Sequence, residues 1–569
     1  MIGRHPFSPF RNRREPPAPT EVDLARNRLL IAAGLTAAAF TLVAFRLLDV
    51  IIMPATQSQK VERSIPITKH YVSRADILDR NGRIMATNLN TASLYANPNL
   101  IQNKAGVAAK LAAILNLNAA SLAEQFESKR PFLWIKRHLT PKQKYAVNKL
   151  GIPGLDFANE QRRVYPLGSL ASHVLGFTNI DNHGLKGIEN KFNNTLSNSG
   201  KPLRLSIDVR VQNIMREALL NSINKFHAIG GAGLVLDARN GEILSMVSLP
   251  DFNPNLPRKA KNKVLFNRAT HGVYEMGSTL KIFNTAMALE HEKITMQSGY
   301  DATKPIRTSK FVIKDYHAKN RWLSIPEIFM YSSNIGSVKM AMDVGRVAQR
   351  KFFKRLGLLN KPQIELGEVG KPIVPEPWND IHSMTISYGH GLAISPLQLV
   401  AGVAAVVNGG VLYTPTLFQR TRLTIGSRVI SKETSEQVRR LLKLVVSHGT
   451  GSLAAAKGYL VGGKTGTAEK VVGREYKREA LLSSFIAAFP INAPKYVVFV
   501  MIDNPVAIKG TRHRPTGGWV AAPVVGEVIS RIGPLLGVKP INQNDPSVRD
   551  QMTIRVLTMK SGEKRLVSF

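Results

Sequence analysis

The chain has 569 residues, of which 44% are hydrophobic and 20% are charged; this length is typical of two or three domains, and the composition excludes a largely disordered or collagen-like chain. Lysine and arginine outnumber aspartate and glutamate by 77 to 39, and the formal net charge of +38 indicates anionic surroundings: nucleic acid, lipid headgroups or an acidic polymer. The absence of cysteine excludes disulfide bonds, thiolate catalysis and cysteine-based metal sites.

An uncharged run at residues 29–45, LLIAAGLTAAAFTLVAF, predicts a membrane-spanning helix. The run is short for this purpose, and apolar residues up to Met53 extend it if the side chain of Arg46 reaches the membrane interface. More basic residues precede the run than follow it, which favours a short cytoplasmic tail with the rest of the chain outside. A buried core helix and a cleaved signal peptide are the alternatives.

The densest basic stretch outside the N-terminal tail holds Arg258, Lys259, Lys261 and Lys263. It lacks the interleaved aromatic residues of a nucleic-acid groove. We therefore interpret the positive charge as a solvated surface that faces an anionic membrane or wall, and we expect no nucleic-acid partner.

Two Asn-Gly dipeptides, at Asn81 and Asn240, lie between apolar runs and predict β-hairpins. Between them, SNSGKP at residues 197–202 predicts a domain boundary.

The rest of the chain predicts an α+β domain. Residues 278–450 are rich in helix-forming residues, residues 481–490 and 495–503 are typical of buried strands, and residues 521–536 predict a closing helix. Strands, then helices, then strands favour one antiparallel sheet with helices. The polar stretch after residue 540 predicts a loose tail.

A Ser-x-x-Lys motif at Ser278 and Lys281 predicts a nucleophile and its base. At a helix start, positions i and i+3 share a face, so the lysine amine can reach the serine hydroxyl. A serine hydroxyl is a weak nucleophile until a base takes its proton, and a desolvated lysine near other cations can be that base. The same pattern recurs at Ser222 and Ser561, so alone it indicates no more than a solvated helix face.

Two later motifs distinguish the Ser-x-x-Lys pattern at Ser278 from the other two. Ser332 and Asn334 form Ser-x-Asn, and Lys464 begins Lys-Thr-Gly. The three motifs in this order are typical of penicillin-binding proteins and serine β-lactamases. The other two Ser-x-x-Lys patterns fail the order, because Ser561 lies beyond Lys-Thr-Gly and Ser222 would supply both of its first two motifs.

Residues 458–465 also fit the phosphate-binding pattern G-x-x-x-x-G-K-[ST] of nucleotide-binding proteins. The apolar run ending at Asp503 resembles the strand whose aspartate holds magnesium in those proteins. Such a loop must open a helix, whereas Gly466 and Gly473 weaken any helix here. We therefore reject a nucleotide site.

With these motifs in place, the sequence resembles the class B penicillin-binding proteins, and among them the peptidoglycan transpeptidases of cell division, over about residues 46–536. The stretches that carry the resemblance are FRLLDV, RADILDRNGRIMA, RRVYPLGSLASHVLGF, GLKGIEN, LSIDVRVQ, LPDFNPN, YEMGSTLKIF, DYHAKNRWLSIPEIFMYSSNIG, SYGHGLAISPLQL and GGKTGTAEK. Ala75 stands where the family usually has glycine, and we expect a small backbone adjustment without loss of function.

The resemblance implies an α+β fold with a transpeptidase domain like that of the serine β-lactamases, an N-terminal pedestal module and one transmembrane helix. The expected segments are a cytoplasmic tail at 1–28, the anchor at 29–52, a pedestal of the dimerisation type at 53–202, the transpeptidase domain at 203–540 and a C-terminal tail at 541–569. The pedestal would hold the catalytic domain off the membrane and dock division partners, or act only as a spacer.

The resemblance also implies roles for the motif residues. Ser278 would be the acylated nucleophile and Lys281 its base, although the acylation base is disputed in the wider superfamily. Ser332 would relay a proton to the leaving amine, and Asn334 would bind the substrate amide and Lys281. Lys464 would add positive potential.

The last motif would bind the end of the substrate. Thr465, Gly466 and Thr467 would hold its terminal carboxylate region. The backbone N–H groups of Ser278 and Thr467 would form the oxyanion hole, a preorganised donor pair of the kind that lowers acyl-transfer barriers.

The implied reaction is 4,3 cross-linking of peptidoglycan stem peptides at the division septum, with β-lactams acylating the same serine. The resemblance implies no metal or cofactor. It implies as partners a septal glycosyltransferase and other divisome membrane proteins, in the bacterial inner membrane with the catalytic domain outside the cytoplasm.

Three alternatives stay open. A hydrolase of the same superfamily would need a deacylating glutamate, and Glu365, Glu368 and Glu376 sit in no pattern tied to that role. A class B enzyme of cell elongation, or a penicillin-sensing protein that keeps the site only for binding, would share the motifs.

Overall fold

The computed structural model describes residues 21–52, 73–291, 294–309, 311–422, 424–473, 475–509, 511, 514–543, 545–560 and 563–568. The chain divides into two compact units, Met1–Tyr71 and Val72–Phe569. The sequence predictions at 1–20 of the tail, at 53–72 of the pedestal and at Ser561 lie outside the described residues.

The first unit contains one long helix, α1 (Glu21–Ile52). Its segment Arg28–Leu47 has a mean hydropathy of 1.9 and exposes its side chains on all sides, so by length and composition it can cross a membrane. The hydroxyl groups of Thr36 and Thr41 donate to the carbonyl groups four residues earlier, which satisfies them within the helix. The apolar run therefore forms a helix, as predicted, with several further turns.

The second unit begins with a mixed region built around a long strand. Its strands are β1 (Ile77–Leu78), β2 (Ile84–Ala96), β3 (Leu133–Leu139), β4 (Leu155–Val164) and β5 (Leu203–Arg204). Strand β2 pairs antiparallel with β1, β3 and β4, and β1 pairs parallel with β5. The helices of this region are α2 (Lys104–Leu115), α3 (Ala119–Phe126), α4 (Pro141–Asn148), α5 (Ser172–Leu175), α6 (Gly187–Lys191) and α7 (Asn193–Asn198). A small apolar core that includes Leu94, Leu111 and Phe126 lies between sheet and helices.

The rest of the unit is an α+β domain. Its strands are β6 (Gly230–Asp237), β7 (Ile243–Leu249), β8 (Tyr274–Glu275), β9 (Gly299–Asp301), β10 (Ile306–Arg307), β11 (Val312–Ile313), β12 (Trp322–Ser324), β13 (Ala393–Ile394), β14 (Val411–Leu412), β15 (Ser427–Arg428), β16 (Gly462–Val472), β17 (Glu475–Phe489) and β18 (Tyr496–Asp503). Its helices are α8 (Val209–Lys225), α9 (Lys281–Leu289), α10 (Ile325–Tyr331), α11 (Asn334–Val344), α12 (Arg346–Arg355), α13 (Asp380–Ser387), α14 (Pro396–Val407), α15 (Lys432–His448), α16 (Gly517–Val520) and α17 (Ala522–Leu535). Short 3₁₀ helices lie at Pro98–Leu100, Pro257–Lys259, Asn262–Leu265, Gly277–Leu280 and Ser452–Ala454.

Among the described residues, the main sheet has five antiparallel strands in the order β16-β17-β18-β6-β7. Every residue of β18 is buried, because helices cover both faces of the sheet. Phe499 and Met501 contribute to one apolar core, and Val498 and Val500 contribute to the other, which also contains side chains of α8 and α17. The predicted α+β fold, its two buried strands and its closing helix are confirmed.

Both predicted hairpins form, with loops longer than two residues. Leu78 pairs with Ile84 around the first Asn-Gly, and Leu236 pairs with Ile243 around the second. The two turn glycines, Gly82 and Gly241, have φ angles of 84° and 79°, which side chains rarely allow.

The C-terminal stretch differs from the loose tail that its polarity predicts. It contains helix α18 (Pro546–Met552) and a hairpin of β19 (Arg555–Lys560) with β20 (Glu563–Ser568). Met552 and Ile554 are buried in the main apolar core, so this segment packs on the domain.

Candidate active site

Ser278 lies in the 3₁₀ helix Gly277–Leu280, which leads directly into the buried helix α9. Gly277 has a φ of +54°, and a Cβ atom there would lie 2.6 Å from the carbonyl oxygen of Thr467 on strand β16. A Cβ atom at Gly466 would likewise lie 2.8 Å from the carbonyl oxygen of Met276. The two glycines let the serine segment pack directly against the strand that carries the Lys-Thr-Gly motif.

Lys281 is the first residue of α9, and its side chain is almost completely buried at 1% exposed. Its Nζ lies 2.6 Å from the carbonyl oxygen of Ser332, 3.1 Å from the hydroxyl oxygen of Ser332 and 2.7 Å from Oδ1 of Asn334. The first and second motifs are therefore joined by direct hydrogen bonds.

Ser332 occupies the turn between α10 and α11 in the left-handed region, with φ 60° and ψ 43°. This conformation is costly for a residue with a side chain and is often found at functional sites. It lets both the carbonyl and the hydroxyl oxygen of Ser332 lie within hydrogen-bonding distance of Lys281.

Asn334 is held at the first turn of α11 by Asp315, a residue that the motifs do not include. One carboxylate oxygen of Asp315 accepts from the backbone N–H groups of Asn334 and Ile335, at 2.6 and 3.0 Å, and the other accepts from the hydroxyl of Ser333 at 2.7 Å. A carboxylate at a helix N-terminus accepts hydrogen bonds from the unpaired backbone N–H groups and interacts favourably with the positive end of the helix dipole. The Asn334 amide group also donates to the carbonyl oxygen of Lys314 at 3.0 Å.

Lys464 is fully buried on strand β16, and its Nζ lies 3.0 Å from the hydroxyl oxygen of Ser332. The same ammonium group lies 5.8 Å from the ring centre of Phe329, within the range of a cation–π contact. Lys464 therefore joins the third motif to the first two through one serine hydroxyl.

Burial dominates the electrostatics of the two lysines. It lowers the pKa of Lys281 well below its usual value; the charge of Lys464 lowers this pKa further, and the carboxylate of Asp315 opposes the shift. Burial also lowers the pKa of Lys464 to about 7. Burial thus favours the neutral form of both amines, and a general base must be unprotonated.

The hydroxyls of the third motif contact two further loops. Thr465 shares a 2.8 Å hydrogen bond with the hydroxyl of Thr450, and the hydroxyl of Thr467 accepts from the backbone N–H of Gly517 at 3.1 Å. Thr465 is buried and Thr467 is half-buried. These residues, with Gly466, form the strand edge that faces the serine segment.

The structure thus brings together every motif residue that the sequence predicts. Residues 462–472 form a strand where a phosphate-binding loop would open a helix. Asp315, Thr450 and Gly517 were not predicted as site residues, because their contacts with the motifs form only when separate parts of the chain fold together. Among the described residues, no group of three His, Asp or Glu is placed to hold a metal.

The similarities to known proteins agree with this geometry. Residues 231–530 match the model of the penicillin binding protein transpeptidase domain, and residues 69–202 match that of the penicillin-binding protein dimerisation domain. A probable peptidoglycan D,D-transpeptidase FtsI of Caulobacter vibrioides is 37% identical over 82% of each chain. The peptidoglycan D,D-transpeptidase FtsI of Escherichia coli K12 is 29% identical over 90% of this chain and 92% of its own.

A solved structure shares the fold. The crystal structure of a peptidoglycan synthetase from Bifidobacterium adolescentis has a TM-score of 0.65 and 21% identity, and the match covers 84% of this chain and 97% of that one. The matched domains and relatives show that the chain belongs to the penicillin-binding proteins, and that it is a peptidoglycan D,D-transpeptidase.

Proposed function

We propose that the chain cross-links peptidoglycan stem peptides through an acyl-enzyme on Ser278. The observation that carries this proposal is the buried amine of Lys281, which has a lowered pKa and hydrogen-bonds to Ser332 and Asn334 beside the serine segment. A hydroxyl nucleophile needs a nearby base, and a desolvated lysine supplies one.

In the first half-reaction, Lys281 takes the hydroxyl proton as Oγ of Ser278 attacks the carbonyl carbon of the penultimate D-Ala. The bond to the terminal D-Ala breaks, and Ser332 passes a proton to the leaving amine. The N–H groups of Ser278 and Thr467 stabilise the oxyanion, as preorganised donors do in acyl transfer. The packing of Gly277 against the backbone of Thr467 supports this pairing.

In the second half-reaction, an amine of another stem peptide attacks the ester carbonyl and gives its proton to Lys281. The new peptide bond forms as the ester bond to Oγ breaks, and Lys281 returns the proton to Ser278. Before acylation, Thr465, Gly466 and Thr467 bind the terminal carboxylate region of the donor, and Lys464 adds positive potential. A β-lactam imitates this end and acylates the same serine.

We place the enzyme in the bacterial inner membrane at the division septum, with α1 as the anchor. The apolar helix Arg28–Leu47 supports the anchor, and similarity to FtsI proteins supports the role in division beside a glycosyltransferase and other divisome proteins. The division into segments at 1–28, 29–52, 53–202, 203–540 and 541–569 stays a prediction. The two family matches lie within the third and fourth segments.

The test is the intact mass of the full-length protein in detergent, with and without penicillin, beside a Ser278→Ala variant. We expect one stable adduct on the parent and none on the variant. Equal labelling of the variant would show that another residue is the nucleophile. Rapid loss of the adduct with release of hydrolysed penicillin would favour a hydrolase instead.

A further inference from the structure

The outer part of the β16–β17 hairpin is a separate short arm. The two strands pair regularly from Gly462 with Ala488 to Glu469 with Leu481, and the register then shifts so that Lys470 pairs with Lys477. Residues 478–480 have no partners opposite them, as in a large β-bulge. We call residues 470–473 and 475–477 the arm; it continues the strand that holds the Lys-Thr-Gly motif.

The carboxylate of Glu275 ties this arm to the serine segment. Oε1 accepts from the hydroxyl of Tyr476 on the arm at 3.0 Å and from the backbone N–H of Gly391 at 2.7 Å. Oε2 lies 3.1 Å from Nδ1 of His390, whose ring also contacts the ring of Tyr476 at 5.9 Å between centres. One side chain, three residues before Ser278, thus bonds to two other segments.

The loop that holds His390 and Gly391 also supports the serine segment directly. The backbone N–H of Gly277 donates to the carbonyl oxygen of Gly389 at 3.2 Å, and Ala393 pairs with Glu275 in the β8–β13 ladder. Glu275 therefore lies where the serine segment, this loop and the arm meet.

A second contact holds the arm at its base, where Nζ of Lys470 lies 2.5 Å from the buried carboxylate of Asp503 on β18. Tyr476 lies at the far side of the register shift and is 50% exposed. Because half of its surface is exposed, we expect the hydroxyl bond to the Glu275 carboxylate, together with the ring contact to His390, to restrain the outer arm. Hydrogen bonds to charged groups are the stronger kind.

We propose that Glu275 is a positioning residue that holds the arm, through Tyr476, as one wall of the acyl-donor site. Strand β16 runs from Thr465–Thr467 into the arm. A donor that binds along this strand with its carboxylate at Thr465–Thr467 therefore reaches the arm. The arm then contributes to binding of the donor before acylation, and not to the chemical step. This inference rests on the proposed function.

The test uses full-length protein in detergent and the variant Tyr476→Phe, which removes only the hydroxyl. Tyr95→Phe is the matched control, since its hydroxyl also donates to an exposed carboxylate, Asp156, at 3.0 Å in the amino-terminal region. Two readouts are needed: the rate of trypsin cleavage after Lys477, and penicillin acylation separated into the noncovalent dissociation constant and the acylation rate constant.

For Tyr476→Phe we expect cleavage after Lys477 several-fold faster than in the parent, and a noncovalent dissociation constant for penicillin raised by about threefold to tenfold, as loss of a charge-assisted hydrogen bond allows. The acylation rate constant should change by less than about twofold. Tyr95→Phe should match the parent in all three.

Two variants of Glu275 separate positioning from folding. In Glu275→Gln the amide oxygen can replace Oε1 as the acceptor for Tyr476 and Gly391 but without the charge, so this variant should weaken penicillin binding less than Tyr476→Phe does. Glu275→Ala removes the acceptor and should weaken penicillin binding at least as much as Tyr476→Phe does. The inference would be overturned if Tyr476→Phe matched the parent in both the trypsin cleavage rate and the dissociation constant for penicillin. It would also be overturned if trypsin cleaved this variant faster while its dissociation constant for penicillin stayed unchanged. If the parent forms no penicillin adduct, the proposed function fails, whereas the trypsin comparison still decides whether Tyr476 holds the arm.

Discussion

Lys281 and Lys464 lie within hydrogen-bonding distance of the same atom, the hydroxyl oxygen of Ser332, at 3.1 and 3.0 Å. A hydroxyl oxygen can accept from one amine while its hydrogen is donated to another. If Lys281 is neutral, it can receive that hydrogen while Lys464 donates to the oxygen. Ser332 can therefore give up its hydroxyl proton and regain one from a neighbouring amine, as the proposed relay to the leaving amine requires.

The first prediction concerns the pH dependence of acylation. The acylation rate constant divided by the noncovalent dissociation constant for penicillin depends on the protonation states of groups in the free enzyme. Acylation by penicillin should rise with pH as Lys281 loses its proton, because only the neutral amine accepts one. It should fall again near pH 7, because Lys464, whose pKa burial lowers to about 7, then loses the charge that binds the ligand carboxylate.

The variant Lys464→Arg isolates the falling limb. An arginine keeps its charge throughout this range, so the decline near pH 7 should disappear even if the overall rate is reduced. Rates measured by labelling with fluorescent penicillin from pH 5 to about pH 9 would show this. A falling limb that is unchanged in the arginine variant would assign it to another group.

The second prediction concerns Asp315→Asn. The carboxylate raises the pKa of Lys281, so its removal should move the rising limb of the pH profile to lower pH. It should also slow acylation several-fold, because Asn334 loses a charged acceptor at the start of α11. Asp343→Asn is a suitable control, since Asp343 is an exposed residue of the same helix, bonded to Tyr300. Identical profiles for the two variants would contradict the assignment.

The third prediction concerns Gly277→Ala. Both the positive φ and the clash with the Thr467 carbonyl oxygen force the serine segment to shift, so acylation should fall by at least a hundredfold. Gly151→Ala also places a side chain at positive φ, +57°, but in open space in the amino-terminal region. It should therefore show the cost of the backbone conformation alone, with acylation near the parental rate. Comparable acylation by both variants would show that the contact with Thr467 is unimportant.

The candidate catalytic residues could be predicted from the sequence, whereas the residues that position them could not. Ser278, Lys281, Ser332, Asn334 and Lys464 were predictable because their spacing is a family pattern. Asp315 and Glu275 stand in stretches that carry the family resemblance, but their roles depend on contacts that form only on folding: Asp315 with the start of α11, and Glu275 with Tyr476 and Gly391.

The C-terminal hairpin was missed for another reason. Strands β19 and β20 contain four lysine and arginine residues and no regular alternation of apolar and polar residues, so the sequence pattern does not predict strands there. Burial of Met552 and Ile554 just before them fixes the segment to the domain. Such packing between distant parts of the chain cannot be seen in local composition.

The fourth prediction concerns stability and the buried carboxylate of Glu189. This side chain is completely buried and bonds to the guanidinium groups of Arg74 and Arg163, at 2.6 and 2.7 Å, which are also buried. Removing one partner of a buried ion pair leaves the others uncompensated and costs about 3–5 kcal/mol. Glu189→Gln should therefore lower the free energy of unfolding by roughly that amount, because two buried cations then share a neutral amide.

The control for this prediction is Glu127→Gln. Glu127 pairs with Lys104 at 3.1 Å but is 70% exposed, and exposed pairs contribute less than about 1 kcal/mol. Denaturant unfolding of the full-length protein in detergent, followed by tryptophan fluorescence, measures both variants against the parent. Equal effects of the two substitutions would show that the Arg74–Glu189–Arg163 cluster contributes no more to stability than a surface pair, because hydration of the neighbouring arginines would then offset the lost charge.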